Sequence, residues 1–505
     1  MTTNLGMISC EAGAPDKPAF IGSWPDGTER VMTYAALNRM ADAFARGLVA
    51  HGVARGERIG ILSANRPDYV AAILGAMRAG VVPVPINFKF PPATIAYIVA
   101  DSAVRVLVCD EPRRASAPAT DAVVLTFEGE GDGTFASWLD EGPFDAVDPA
   151  ADDPALILYT SGSTGRPKGV LLSHASHLWV AHVRVPEYRL NDERVLIAAP
   201  LYHMNALALS FLVCASGSTA ILLPQFQAAH YIEAITRYRC TWLTAVPPMI
   251  AMMLREKEAL AAADLSSVHS IRMGSAPVNE ALAQTTAALL PNAHVINAYG
   301  TTEGGPIGFG AHPDGRPTPS GSVGYPHPEV EVRLVGENAP ERGTLQLRSP
   351  GQMLGYLNRP DVASPVTADG FYDTGDVFRR DGDGFYYFVG RVDDMFVSGG
   401  ENIYPSEVEH VIEEAPGVAQ ACVVPVNDDI KGTKPVAFVI RKAGSDVTED
   451  EIKAFVLANA PAYQHPRRVW FVDRLPLTTT NKIDRNALMA RATEAMAEPE
   501  GAGSS

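Results

Sequence analysis

The chain has 505 residues, 47% of them hydrophobic and 20% charged, enough to bury roughly two to four domain cores. Its 41 basic and 58 acidic residues leave a formal charge of −17. That field repels nucleic acid and anionic membrane, so a bound anion needs a focused pocket working against it.

Five cysteines, Cys10, Cys109, Cys214, Cys240 and Cys422, lie far apart with no CxxC pair. This excludes a cysteine zinc site or a disulfide framework and fits a reducing, cytoplasmic setting. The start MTTNLGMISCEAGAPDK has no basic segment before an apolar run, and the apolar windows near 70–85 and 206–223 are interrupted, so neither a signal peptide nor a membrane span is expected.

In chain order, residues 57–87 predict a βαβ unit with its helix opening near Pro67, and hence a parallel sheet. RVLVCD (105–110) is a buried strand, and the Gly/Pro/Asp-rich stretch 110–153 predicts loop with a short hairpin. PALILYT (154–160) is a strand that runs into SGSTGRPKGV (161–170). From 195 to 297, strand-length apolar runs alternate with helical ones at 228–239 and 279–290. After about Gly321, short runs separated by Gly and Asp predict a small β subdomain. From about 394, two S/T-x-x-E boxes, Ser406–Glu409 and Thr448–Glu451, predict helix starts among the strands 421–426, 435–440 and 468–472. The predicted class is α/β: a large N-terminal domain of parallel-sheet subdomains plus a small β subdomain, and a mobile C-terminal α+β domain. The expected boundaries are 1–392, a hinge at Asp393, 394–492 and a flexible tail at 493–505.

The stretch YTSGSTGRPKGV (159–170) combines hydroxyls, glycines and Lys168 behind a strand. Backbone N–H groups and hydroxyls of that kind can wrap phosphate oxygens, and Lys168 adds a compact charge for the outer phosphates. The Walker A register fails, because the fifth residue after Gly162 is Pro167 and no Ser or Thr follows the lysine.

This stretch resembles the phosphate-loop signature of the adenylate-forming (AMP-binding, acyl- and aryl-CoA synthetase) superfamily. The rest of that family's motif series follows in order across about residues 30–490. NAYGTTEGG (297–305), GSAP (274–277), YDTGD (372–376), GRVDDMFVSGGENIYPSEVE (390–409) and TTTNKIDR (478–485) are its parts. The resemblance implies ATP, Mg²⁺ and CoA as cofactors. It implies catalytic roles for Thr160, Lys168, His203, Glu303 and Lys482, with Glu303 holding the metal and Lys482 bridging the carboxylate and the α-phosphate.

For the nucleotide the resemblance implies Thr160, Ser161, Gly162, Ser163, Thr164, Gly165, Lys168, Gly274, Ser275, Ala276, Pro277, Asn297, Ala298, Tyr299, Gly300, Thr301 and Thr302. Asp376, on the ribose, with Phe388, Arg391 and Lys482 completes that set; Tyr299 is expected to pack on adenine. For the acyl group it implies Tyr202, His203, Asn205, Gly274, Ala298, Gly300 and Thr302. For CoA it implies Ser398, Gly399, Gly400 and Glu401, with Arg467 and Arg468 expected on the CoA phosphates.

The expected reaction joins a carboxylic acid to AMP with release of pyrophosphate, then to the CoA thiol with release of AMP. Ala298, at a position where several relatives have glycine, narrows the pocket floor and points to an aromatic acid, a hydroxycinnamate or a benzoate. Arg272, near the end of its strand, is the one basic residue evident in the candidate pocket, so a second substrate carboxylate is not expected. Alternatives are a medium-chain fatty acid, a carrier-protein acceptor, or a nucleotide sensor without catalysis. A homodimer is the expected assembly, with no nucleic-acid partner and no membrane span.

Overall fold

The computed structural model describes residues 2–10, 12–160, 166–274, 278, 280–428, 431–478 and 482–497. A seven-stranded sheet runs in the order 294–298, 270–274, 242–245, 194–197, 219–222, 18–23 and 29–33. Its strands are parallel except for the antiparallel edge pair 18–23 and 29–33. A second, all-parallel sheet has the order 82–85, 58–62, 104–109 and 123–126. Its crossover helix Pro67–Arg78 has Pro67 in the first turn, where the missing N–H costs nothing, and is buried throughout.

One expectation fails here. Val123–Thr126 does not close a hairpin within 110–153; it extends the parallel sheet beside Val104–Cys109, with Leu125 and Thr126 buried. Pro154–Thr160 pairs antiparallel with Lys168–Ser173, Thr160 opposite Lys168, and Gly355–Tyr356 adds a third strand beside Val170 and Leu171.

The small β subdomain is an antiparallel sheet of Glu331–Val335, Arg342–Arg348, Tyr372–Arg380 and Tyr386–Arg391. The C-terminal α+β region packs Pro405–Glu414, Glu449–Asn459 and Arg485–Ala497 on the sheet of Val418–Asp428, Gly432–Arg441 and Val469–Phe471. Alternation along that sheet divides its apolar residues between two small cores. Ala421 and Val423 join Val408, Ile412 and Val456, whereas Cys422 and Val424 join Leu488 and Ala492.

The Thr448–Glu451 capping box forms. The one expected at Ser406–Glu409 does not: Tyr404 is the N-cap and Pro405 holds the first helical position. Glu409 is taken instead by Arg485 and by the Val423 N–H at 2.7 Å. Among the described residues no two cysteines are joined in a disulfide. Among the described residues no helix is long and apolar enough to cross a membrane.

Candidate active site

One cavity of about 2510 Å³ runs between the C-terminal ends of the seven-stranded sheet, the small β subdomain and the C-terminal region. Open sheets offer their ligand sites at such strand ends. The structure brings Thr160, Lys168, Tyr202, His203, Asn205, Asn297, Ala298, Tyr299, Gly300, Thr301, Thr302 and Glu303 to its wall. Asp376, Phe388, Arg391, Asp393 and Lys482 join them from the far half of the chain. Ser161 to Gly165 and Ser275 to Pro277 lie outside the described residues.

At one end of the cavity strand pairing sets the geometry. The hairpin carrying Thr160 and Lys168 meets the TTEGG turn, so Thr160 Oγ1 donates to Glu303 Oε1 at 3.2 Å. Tyr356, from the short strand beside that hairpin, donates to the same oxygen at 3.3 Å. Its ring lies 4.8 Å from Lys168 Nζ, close enough for a cation–π contact. Burial, and then the Glu303 charge, push the Tyr356 hydroxyl up and keep it a donor. The turn itself requires glycine at 305: its φ is +92°, and a Cβ there would sit 2.7 Å from the Gly351 carbonyl.

A second cluster surrounds Asp376, which is buried. Tyr299 donates to its Oδ2 at 2.6 Å, and Arg391 pairs with Oδ1 at 2.7 Å across the ladder that sets Asp376 opposite Arg391. Burial raises the Asp376 pKa, with Arg391, Tyr299 and Lys482 acting the other way. The Tyr299 ring packs edge-on against Phe378 at 4.9 Å and Phe309 at 5.9 Å.

Lys482 enters from the C-terminal region on a short loop in which its N–H donates to Thr478 Oγ1 at 3.2 Å. Its side chain is exposed to the cavity. Partial desolvation there, followed by Arg391, lowers its pKa, while Asp376, Asp394 and Glu303 favour the charge. His203 precedes the helix Met204–Ser216 and meets Tyr202 edge-on at 4.7 Å. Burial, then Lys482 and Lys89, hold its imidazole down at about 4, so it is neutral at pH 7. His203 Nε2, Tyr202 Oη and Asn205 Nδ2 are buried there without a hydrogen-bond partner.

Several expected residues do not line the cavity. Gly274 closes a strand, where a Cβ would meet the Ala298 carbonyl at 2.8 Å. Ser398, Gly399, Gly400 and Glu401 form a hairpin turn in the C-terminal region, and both glycines have positive φ. Arg467 and Arg468 are exposed; Arg467 bonds His465 at 3.2 Å and Arg468 lies 3.7 Å from Glu449.

Two further residues reach the cavity wall. Tyr356 was not singled out, because its part comes from a non-local strand pairing. Arg272 does face the pocket. Ile271 and Met273 point into the core, so alternation turns Arg272 to the other side, where its Nη1 donates to Asn205 Oδ1 at 2.5 Å. Arg272 is thus where it was expected, in the pocket, with its guanidinium available to a group on the substrate.

Two family profiles match the chain: AMP-binding enzyme over residues 9–357, and AMP-binding enzyme C-terminal domain over residues 407–482. A feruloyl-CoA synthase from Amycolatopsis sp is 35% identical over 496 residues, covering 93% of this chain and 99% of that protein. ATP-bound MatB from Rhodopseudomonas palustris superposes with a TM-score of 0.86 at 29% identity, covering 98% of this chain and 100% of that one. The anthranilate CoA ligase AuaEII in complex with anthranoyl-AMP gives 0.87 at 27% identity, with 98% of each chain covered. The chain belongs to the AMP-binding enzyme family. Within it, the chain is an ATP-dependent, AMP-forming acid–CoA ligase.

Proposed function

We propose that the acid is aromatic, a hydroxycinnamate such as ferulate or coumarate, or a benzoate, and that its CoA thioester is the product. The observation that carries this reading is the 35% identity, along almost the whole of both chains, to a feruloyl-CoA synthase. Ala298, whose methyl adds bulk on the cavity wall, agrees with it.

A carboxylate and a triphosphate repel each other, and the first step is slow until that repulsion is offset. Lys168 and Lys482 reach the cavity from opposite halves of the chain and supply the positive charge. The acid is ionised at neutral pH, so the step needs no general base. Neutral His203 fits a wall against the acyl group and offers Nε2 for one hydrogen bond.

Asp376 orients the ribose with its carboxylate, which Tyr299 and Arg391 already hold in place. Glu303 fits a magnesium ion brought in on ATP. It is a hard carboxylate beside the Thr160 hydroxyl, and such ions take one or two carboxylates plus phosphate oxygens. When bound, the metal would neutralise charge on the phosphates.

For the second step the C-terminal domain, residues 394–492, turns about Asp393. Lys482 withdraws and the Ser398–Glu401 hairpin comes to the cleft, with Arg467 and Arg468 free to meet the CoA phosphates. That region's own two cores support a rigid-body turn. The five free thiols fit a cytoplasmic setting.

The test is AMP release from the purified protein with ATP, magnesium, CoA and a panel of acids. Hydroxycinnamates or benzoates should give a kcat/KM at least about tenfold above C6–C12 fatty acids. Equal or better turnover of the fatty acids contradicts the aromatic reading.

A further inference from the structure

The acyl end of the cavity contains a cation that the adenylation chemistry does not use. Arg272 stands in the middle of the strand Ser270–Gly274, beside Thr244 on one side and Ile296 on the other. The level at which Gly274 meets Ala298 marks the mouth of the nucleotide end. Arg272 lies two residues, about 7 Å, further along the strand and away from the reacting groups.

Among the described residues the hydrogen-bond partner of Arg272 is the neutral amide of Asn205, whose carbonyl oxygen accepts from Nη1 at 2.5 Å. A guanidinium carries five donors in a planar fork. One neutral acceptor leaves most of them, and the whole charge, without a protein partner among the described residues. The adjoining wall has the complementary deficit: Tyr202 Oη and Asn205 Nδ2 are buried with no partner. Tyr202 is only 3% exposed. Buried polar groups in native proteins are otherwise paired, so each such atom calls for an explanation. Pro247, Pro248, Met249 and Val246 complete this end of the cavity with apolar surface, and no carboxylate among the described residues pairs with Arg272.

We infer that Arg272, oriented by Asn205, reads the end of the acyl group remote from the reacting carboxylate, and that preferred acids carry an oxygen acceptor there, phenolic or anionic. The inference rests on the ligase reading above and narrows its substrate class. Asn205 is a positioning residue: its carbonyl fixes the fork, and its free amide N–H adds a donor beside it. A plain ring or alkyl chain would leave the guanidinium facing apolar surface without water, which disfavours it.

The experiment compares kcat/KM for pyrophosphate release within matched pairs of acids: 4-hydroxycinnamate against cinnamate, 4-carboxybenzoate against benzoate, and adipate against hexanoate. The wild-type chain should favour the oxygen-bearing member of at least one pair by about tenfold or more. Arg272→Met should collapse that ratio toward one, Arg272→Lys should restore part of it, and Asn205→Ala should lower it through KM rather than kcat. Absence of any such preference in the wild type overturns the inference. So does a ratio that Arg272→Met leaves unchanged, because a merely structural arginine would lower both members together. The aliphatic pair separates the two readings: a preference confined to adipate removes the aromatic proposal and retains this one.

Discussion

The two ends of the cavity are built on opposite principles. At the nucleotide end polar groups satisfy one another. Thr160 and Tyr356 converge on Glu303, and Tyr299 and Arg391 on Asp376. At the acyl end Tyr202, His203 and Asn205 keep polar atoms without partners. Dipoles fixed before the substrate arrives lose nothing to reorganisation during the reaction, which suits the end proposed for an invariant ligand, ATP. Unsatisfied donors suit an end whose ligand must be chosen.

The largest test of this contrast lies at Lys482, the group that reaches both ends. Lys482→Ala should lower acid adenylation by about 10³-fold. Thioester formation from supplied acyl-adenylate and CoA should be largely spared. Equal loss in both steps would place the lysine outside the chemistry. Glu303→Gln keeps the shape but removes the charge, and should cost about 10²-fold in kcat for adenylation. Unchanged kinetics would mean that the Thr160–Glu303–Tyr356 cluster is structural only.

Acid stability probes the packing behind the site. His174 and His177 are buried, and burial is the main cause that brings each from 6.5 to about 4. The unfolded chain takes up protons at these positions as pH falls below 6.5, while the folded chain resists. Their contribution to stability is therefore complete above pH 6.5 and declines toward pH 4. Melting temperature should fall across that window, and His177→Gln should flatten the slope; an unchanged slope would contradict the assignment. The smallest expected effect is at Tyr356→Phe, which removes one hydrogen bond to Glu303. A loss of about 1 kcal/mol, roughly fivefold in kcat/KM, is expected from steady-state kinetics. A loss as large as that of Glu303→Gln would make the tyrosine a principal group rather than a support.

The convergence of the residues proposed for the nucleotide was legible because they come in contiguous runs whose side-chain types suit phosphate and ribose chemistry. Glu303 and Asp376 each sit inside such a run, and both reach the cavity. Tyr356 was not legible, since it gains its role by pairing beside residues 170 and 171, almost two hundred positions earlier. Arg272 was expected in the pocket and lines it. Its direction depends on the inward packing of Ile271 and Met273, a property of the folded sheet. The same limit explains the antiparallel pairing of Pro154–Thr160, because a short apolar strand looks alike in either sheet type. Both helix starts were readable; the capping box forms at Thr448, whereas beside Ser406 the helix opens on Pro405 and Glu409 is taken by Arg485.

The most direct measurement is exchange of labelled pyrophosphate into ATP by the purified chain with magnesium and a hydroxycinnamate, in the absence of CoA. The account predicts acid-dependent exchange that disappears in Lys482→Ala, together with AMP release that begins only when CoA is added. Exchange that ignores the acid, or none with any acid tried, would contradict it.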